Sequence, residues 1–414
     1  MAPMLVYLIA SFLAAFHAAI VYFTYKRVPE PYMDEIYHID QVRAYCKGNY
    51  GYWNKLITTP PALYVLTPRF LCQGFERYMN SIMFPFLFVG LYKLRRRFHV
   101  SGNHLDAVLT SLSVSFLPVL LDTSILYYTD LLSLTTVVWG FAALNPQISA
   151  VFFFASVVTR QTNIVWAGLY VFCALVKNFD KNRPFSSLFW TSMKHHAFVV
   201  LLLCFLLFVH MNQGIVLGDR TAHEITLHIP QILYFLGFLL FSAAPVFLFD
   251  LRKVVNTVLR RWYILIPLAF LMYLAIDCCT SAHKYLLADN RHFTFYIWRR
   301  WFMSFDSAKF CSIPVYLVAI FFAFPRIVNC QGLLISILGL LCTAVTLVPS
   351  PLLEFRYFII PFALWRTSIL ERRQNVLLLE IFFHLVVSGA ALYLFFEKPF
   401  RWPHDPKDLQ RFMW

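Results

Sequence analysis

Charge is scarce in this chain. Only 14% of its 414 residues are Asp, Glu, Lys or Arg, against about 25% in a soluble domain, and 60% are hydrophobic. That excludes an ordinary soluble fold and points to an integral membrane protein. Metal-site patterns are also lacking. There is no Asp-x-Asp pair and no His-x-x-His, and the nine cysteines show no metal-type spacing, so no metal and no cofactor is expected. No internal repeat is visible, and there is no segment for a soluble nucleotide-sugar domain. A cleavable signal peptide is not expected, because the N-terminus has no basic stretch and its first apolar run is too long. Acids are the scarcer sign, 21 against 35 Lys and Arg, for a net charge of +14. The basic residues are scattered through short loops, which excludes a nucleic-acid face and fits contact with anionic lipid headgroups.

What is present is a series of apolar runs. A crossing takes roughly 20 apolar residues, and about 12–13 candidate spans are predicted. Their cores are Leu5–Tyr25, Ser81–Tyr92, Leu105–Leu121, Leu131–Leu144, Ile148–Val158, Ile164–Val176, Ala197–Met211, Ile232–Phe249, Ile264–Ile276, Ile313–Phe324, Gly332–Val348, Tyr357–Leu370 and Val376–Phe396. The whole chain reads as one transmembrane domain, 1–414, with large loops at 26–77 and 277–311. Placing the N-terminus in the cytoplasm puts the basic loops around Arg95, Lys177, Arg260 and Arg372 on the cytoplasmic side, as the positive-inside rule asks. Lys26 and Arg27 pull the other way. The chemically unusual loops then share the opposite, lumenal side.

The first of these holds Tyr32-Met-Asp-Glu-Ile-Tyr-His-Ile-Asp40. Pro29 and Pro31 break the chain, and a helix from Asp34 to Lys47 is predicted, ending at Gly48-Asn49. At 3.6 residues per turn, Asp34, His38, Gln41 and Tyr45 share a polar face. Glu35, Ile39, Val42 and Cys46 share a more apolar one, predicted to lie on the membrane. A second short helix is predicted from Thr59 as N-cap, through Pro60, to Leu66. A carboxylate held at the membrane surface can do acid–base work on a lipid-attached substrate. The plainer reading is that acids at a helix start cap it. Cys46 and Cys72 share this loop. An oxidising lumen would let them pair, and two free thiols are the other reading.

Five segments carry a likeness. They are Pro31-Tyr-Met-Asp-Glu-Ile-Tyr-His-Ile39, Ile57-Thr-Thr-Pro-Pro-Ala-Leu-Tyr64, Gly218-Asp-Arg-Thr-Ala-His-Glu224 with Leu227-His-Ile-Pro-Gln231, Leu287-Ala-Asp-Asn-Arg-His-Phe-Thr-Phe-Tyr-Ile-Trp-Arg-Arg300, and Glu354-Phe-Arg-Tyr-Phe358. Together with the ending Arg411-Phe-Met-Trp414, the chain resembles the endoplasmic-reticulum dolichyl-phosphate-glucose-dependent α-1,2-glucosyltransferases. The resemblance implies an all-α polytopic membrane protein of the type-C glycosyltransferase fold, with interfacial helices and a catalytic acid in the first lumenal loop. It implies a multi-pass endoplasmic-reticulum membrane protein. The donor would be dolichyl β-glucosyl phosphate. The acceptor would be the diglucosylated dolichyl-diphosphate oligosaccharide of N-glycan assembly, and the active site would face the lumen.

A β donor and an α product require inversion, and inversion needs one base. Asp34 is the expected catalytic base for the acceptor's 2-hydroxyl, with Glu35 the second candidate. His38 orients Asp34 or binds a sugar hydroxyl, or is an interfacial histidine without either role. The leaving phosphate needs fixed cations. Arg291, His292, Arg299 and Arg300 form the densest lumenal basic group, and a helix would place His292, Tyr296 and Arg299 or Arg300 on one side. Asn290, His223 and Glu224 lie in the same motifs, and Arg160, Arg220 and Arg356 are further phosphate candidates. Arginines at a membrane interface also snorkel without any ligand. Glu354 either binds substrate or pairs with a neighbouring arginine. Two other classes remain open. One is a transporter or flippase of a lipid-linked sugar, for which Glu380 is the main intramembrane acid. The other is a non-catalytic membrane subunit that modulates a channel or complex.

Overall fold

Apolar runs become helices in lipid because the backbone must satisfy its own N–H and C=O groups. The computed structural model describes residues 2–219, 226–281 and 283–414. In chain order its helices begin with α1 (Ala2–Arg27), α2 (Glu35–Cys46), α3 (Ala62–Leu66), α4 (Tyr78–Phe98), α5 (His104–Ser115), α6 (Pro118–Ser124) and α7 (Asp130–Ala142). They go on with α8 (Pro146–Val157), α9 (Ile164–Lys177), α10 (Pro184–Lys194), α11 (His196–Asn212), α12 (Pro230–Ser242), α13 (Ala244–Phe249) and α14 (Leu251–Arg260). The rest are α15 (Trp262–Cys279), α16 (Lys284–Ala288), α17 (Phe293–Ile297), α18 (Ile313–Gln331), α19 (Leu333–Leu347), α20 (Ile359–Ser368) and α21 (Gln374–Glu397). A short antiparallel hairpin follows, β1 (Phe400–Trp402) with β2 (Asp405–Gln410), pairing Phe400 with Gln410 and Trp402 with Asp405. The all-α membrane class holds.

The number of full-length spans does not match the expectation. Among the described residues, four helical stretches are long and apolar enough to cross a bilayer: Met4–Arg27, Trp262–Cys279, Ala308–Gln331 and Gln374–Glu397. Two bent pairs, α5 with α6 at 60° and α10 with α11 at 64°, reach that length and apolarity only when each pair is taken together. Helices α7, α8, α12 and α19 are apolar but shorter. The reason is local. Pro118 opens α6 and Pro245 sits in the first turn of α13, each where a continuous apolar run was predicted. A proline lacks the N–H that would continue the preceding helix. Only 11% of the α15 stretch is buried, and Ile266, Phe270 and Leu271 are exposed, which marks it as lipid-facing.

The chain divides into two compact units. The first comprises residues 1–100, 124–223 and 337–342. In it α1 packs on α4, α4 on α7 and α7 on α8, burying Leu13, Val21, Phe84, Leu87, Leu91, Leu134 and Val137. Gly90 permits the approach of α4 to α7, since a Cβ there would stand 2.7 Å from Trp139 Nε1. His17, buried in α1, is held by Ser81 Oγ at 3.0 Å and Ser124 Oγ at 2.8 Å.

The first loop belongs to this unit. Its apolar face is turned into the protein rather than onto the membrane, which corrects the expectation for α2. Ile39 and Val42 pack with Leu63, Tyr64, Leu71, Met79 and Tyr127 in one buried cluster. Gln41, assigned to the polar substrate-facing side, is also buried, and it bonds Tyr52 O and Asn54 N at 2.8 Å each. The second helix starts at Ala62 with Pro61 at its N-cap, later than predicted. Cys46 and Cys72 are joined in a disulfide, which resolves the open pairing.

The second unit comprises residues 101–123, 224–336 and 343–414. Here α21 packs on α5 and α13, and α12 on α15 and α18. Glu380 lies fully buried in α21, and Arg366 of α20 grips it through two hydrogen bonds of 2.8 and 2.6 Å. The one acid that favoured a transport pathway is therefore neutralised by a partner. His384, one turn on, bridges the carbonyls of Ser113 and Ser242, tying α21 to α5 and α12.

Candidate active site

Helix α2 starts at Glu35, with Asp34 as its N-cap. The Asp34 side chain makes no capping hydrogen bond, and it is exposed. The plain capping explanation therefore lacks its defining contact. Met33, just before it, has a φ of +54°, a left-handed conformation that a long L side chain rarely adopts. Such strain persists only where surrounding structure over-determines it, and it gathers at functional sites.

Glu35 has the opposite fate. It is fully buried, with Arg77 Nε at 2.8 Å from one oxygen and Arg77 Nη2 at 2.7 Å from the other. The Tyr127 N–H donates to the first oxygen at 2.8 Å and the Tyr32 N–H to the second at 3.1 Å. Four donors on two oxygens leave this carboxylate no room to reach a substrate proton. His38, half-buried, shares a 2.6 Å hydrogen bond with the Tyr64 hydroxyl, and its ring meets the edge of Tyr128. Burial pushes the Tyr64 phenol well up, so it stays protonated.

Gly218 and Asp219 dock onto this loop. Asp219 N–H donates to Lys55 O at 2.8 Å, and a Cβ on Gly218 (φ +62°) would stand 2.4 Å from the Lys55 and Ile57 carbonyls. Two segments singled out in the sequence thus meet. Arg220, His223 and Glu224 lie outside the described residues. Arg160 is engaged by Asp130 at 2.9 Å and by Thr129 Oγ1 at 3.1 Å.

In the second unit the 289–302 segment carries the remaining candidates. Arg291 forks onto Asp289 and reaches Gln410 at 3.2 Å, with its guanidinium over the Trp402 ring. Burial pushes the Asp289 carboxyl up, but the Arg291 hydrogen bonds outweigh it and hold the group below its ordinary value. Asn290 accepts from the Trp402 indole at 2.7 Å, and His292 Nδ1 lies 3.0 Å from the Trp414 carbonyl. Backbone bonds of 3.1 Å from Phe293 N to Met413 O and 2.9 Å from Met413 N to Arg291 O complete the clasp. So the chain ending is folded onto the motif at 287–300.

The expected helical face is only partly formed. Helix α17 lasts five residues, and a π-helical turn, Trp298–Phe302, follows it. Tyr296 and Arg300 do come together, the guanidinium 5.3 Å from the ring. His292 instead turns to the tail, and Arg299 lies over Phe295. Arg299 and Arg300 are exposed, and among the described residues neither is paired with a carboxylate. Glu354 and Arg356 pair with each other at 2.8 Å.

Below that turn lies an apolar cavity of about 640 Å³, lined by Phe238, Phe293, Trp301, Tyr316, Phe355 and Trp414 among others. Among the described residues no group of three or more His, Cys, Asp or Glu side chains could hold a metal ion.

A sequence model described as the DIE2/ALG10 family matches residues 28–367. The chain belongs to that family. Relatives named Dol-P-Glc:Glc(2)Man(9)GlcNAc(2)-PP-Dol alpha-1,2-glucosyltransferase include one from Homo sapiens, 30% identical over 94% of this chain and 94% of its own. Another from Drosophila melanogaster is 32% identical over 92% of this chain and 93% of its own. A third from Arabidopsis thaliana is 29% identical over 94% and 95%. No solved structure matches the chain. The DIE2/ALG10 match includes the first loop, Arg299, Arg300 and the Glu354–Arg356 pair.

Sequence reasoning missed Arg77 and Trp402, and it gave Asp130, Tyr64 and Trp414 no individual role. Arg77 carried no usable signal, because nothing in the sequence sets it apart from Arg43, Arg69 and the other cations of that loop.

Proposed function

We propose that this chain moves glucose from dolichyl β-D-glucosyl phosphate to the diglucosylated dolichyl-diphosphate oligosaccharide, forming the terminal α-1,2 bond. Full-length relatives bearing that name support the substrates. The observation that carries the chemistry is Asp34, exposed at the start of α2, beside a Glu35 that is buried with both oxygens engaged. Asp34 takes the proton of the acceptor's 2-hydroxyl as that oxygen attacks the anomeric carbon. The bond from that carbon to the phosphate oxygen breaks, and its electron pair leaves with dolichyl phosphate. One displacement inverts β to α, and one base suffices.

Arg299 and Arg300 receive the charge that grows on the leaving phosphate, because preformed cations stabilise developing anions. Arg160, Arg291 and Arg356 already neutralise Asp130, Asp289 and Glu354, and they hold structure instead. The apolar cavity next to Trp301 takes the donor's isoprenoid chain. The Cys46–Cys72 disulfide favours a loop on the oxidising, lumenal side of the endoplasmic-reticulum membrane.

The test is transfer by purified protein in detergent, with synthetic donor and diglucosylated acceptor. Asp34→Asn should lose on the order of 10²–10⁴-fold in kcat while keeping its thermal stability, the contribution typical of a general base. A fully active Asp34→Asn ends the assignment.

A further inference from the structure

We propose that Glu35 and Arg77 form a positioning clamp that sets the direction of the Asp34 carboxylate. The proposal rests on Asp34 being the base and adds how it is aimed. Glu35 reaches back to the Tyr32 N–H at 3.1 Å, closing a turn whose two middle residues are Met33 and Asp34. The backbone closes the same turn, with Glu35 N–H donating to Tyr32 O at 3.2 Å. Asp34 therefore lies between the two attachment points, and the left-handed Met33 precedes it directly. A strained residue is held only if its neighbours are fixed.

Arg77 supplies that fixation. Besides gripping both Glu35 oxygens, it donates to Val28 O at 2.7 Å and Glu30 O at 3.0 Å, the residues that lead into the turn. Its own N–H donates to the Tyr25 hydroxyl at 2.9 Å, and its guanidinium lies over the Tyr25 ring. Its side chain is only 1% exposed and that of Glu35 0%. The end of α1, the start of α2, the start of α4 and the Tyr127 backbone are thus locked at one carboxylate. Tyr128, next in the chain, packs on His38 and donates to Tyr32 O at 3.4 Å.

A planar fork matched to a carboxylate is not reproduced by an ammonium. Loosening it should let the Met33–Asp34 turn relax and move the base off line, where an ångström of misplacement costs on the order of 10²-fold. Kinetics with pH profiles are measured for Glu35→Gln, Glu35→Asp and Arg77→Lys beside Asp34→Asn. Each clamp variant should fall in kcat on the order of 10²-fold, with KM values nearly unchanged. Glu35→Gln should keep the acid limb of the profile, because the titrating base is still Asp34. If Asp34→Asn is active, the base assignment fails whatever the clamp does. If Asp34→Asn is dead while all three clamp variants keep wild-type kcat, the clamp is wrong. A Glu35→Gln that loses the acid limb would make Glu35 the base and overturn the proposal. Failure of all three clamp variants to fold would overturn it too, reducing the pair to a fold determinant.

Discussion

The proposed donor-phosphate site predicts a division among the arginines. Arg299 and Arg300 stand on the π-helical turn, exposed, with their guanidiniums over the rings of Phe295 and Tyr296. Replacing them orphans no carboxylate among the described residues, so the fold should survive. A hydrogen bond to a charged group contributes about 1.5–3 kcal/mol. These guanidiniums are exposed before the donor binds, so the lower end applies, and about 1.5 kcal/mol is roughly tenfold. Arg299→Gln and Arg300→Gln should each lower kcat/KM for dolichyl-phosphate-glucose about tenfold, and the double variant about a hundredfold if they act independently. Arg291→Gln should behave differently. It strands the half-buried Asp289 and frees Gln410 and Trp402, so it should lower the melting temperature before it changes donor affinity. The assay is a donor titration at saturating acceptor, with melting curves run beside it. A double variant within about twofold of wild type in donor kcat/KM would refute the assignment, since even one lost contact exceeds that.

Other expectations concern stability and compartment. The Cys46–Cys72 bridge closes a 26-residue separation, and a loop of that size stabilises by about 3.5 kcal/mol. The Cys46→Ser/Cys72→Ser variant should melt earlier, and labelling of both thiols in unreduced wild type would refute the bridge. The fully buried Arg366–Glu380 pair predicts a non-additive cycle. Arg366→Met or Glu380→Leu alone should cost about 3–5 kcal/mol, because each leaves a buried charged partner stranded, while the Arg366→Met/Glu380→Leu double should recover most of the loss. Additive melting shifts would contradict that.

What the sequence made legible follows the distance over which each feature is decided. The helical period alone turns Glu35 about 100° from Asp34, and the two side chains do have different surroundings. The Glu354–Arg356 pairing, anticipated as one alternative, joins residues two positions apart. What Glu35 faces was not legible, because Arg77 lies 42 positions away and the Tyr127 N–H lies 92 away. The same limit put the apolar face of α2 on the membrane. An apolar stripe has to be covered, but the stripe does not say whether lipid or Leu63, Tyr64 and Tyr127 cover it. Hydropathy fails for a related reason. It adds composition along a window and passes over Pro118 and Pro245, which divide single apolar runs into separate helices. The arginines make the functional consequence plain. By sequence Arg160, Arg291, Arg299, Arg300 and Arg356 are all phosphate candidates in loops expected on one side of the membrane. They become two classes only when Asp130, Asp289 and Glu354 are seen to occupy three of them. An anion site is therefore defined as much by which cations the fold leaves unneutralised as by how many it gathers.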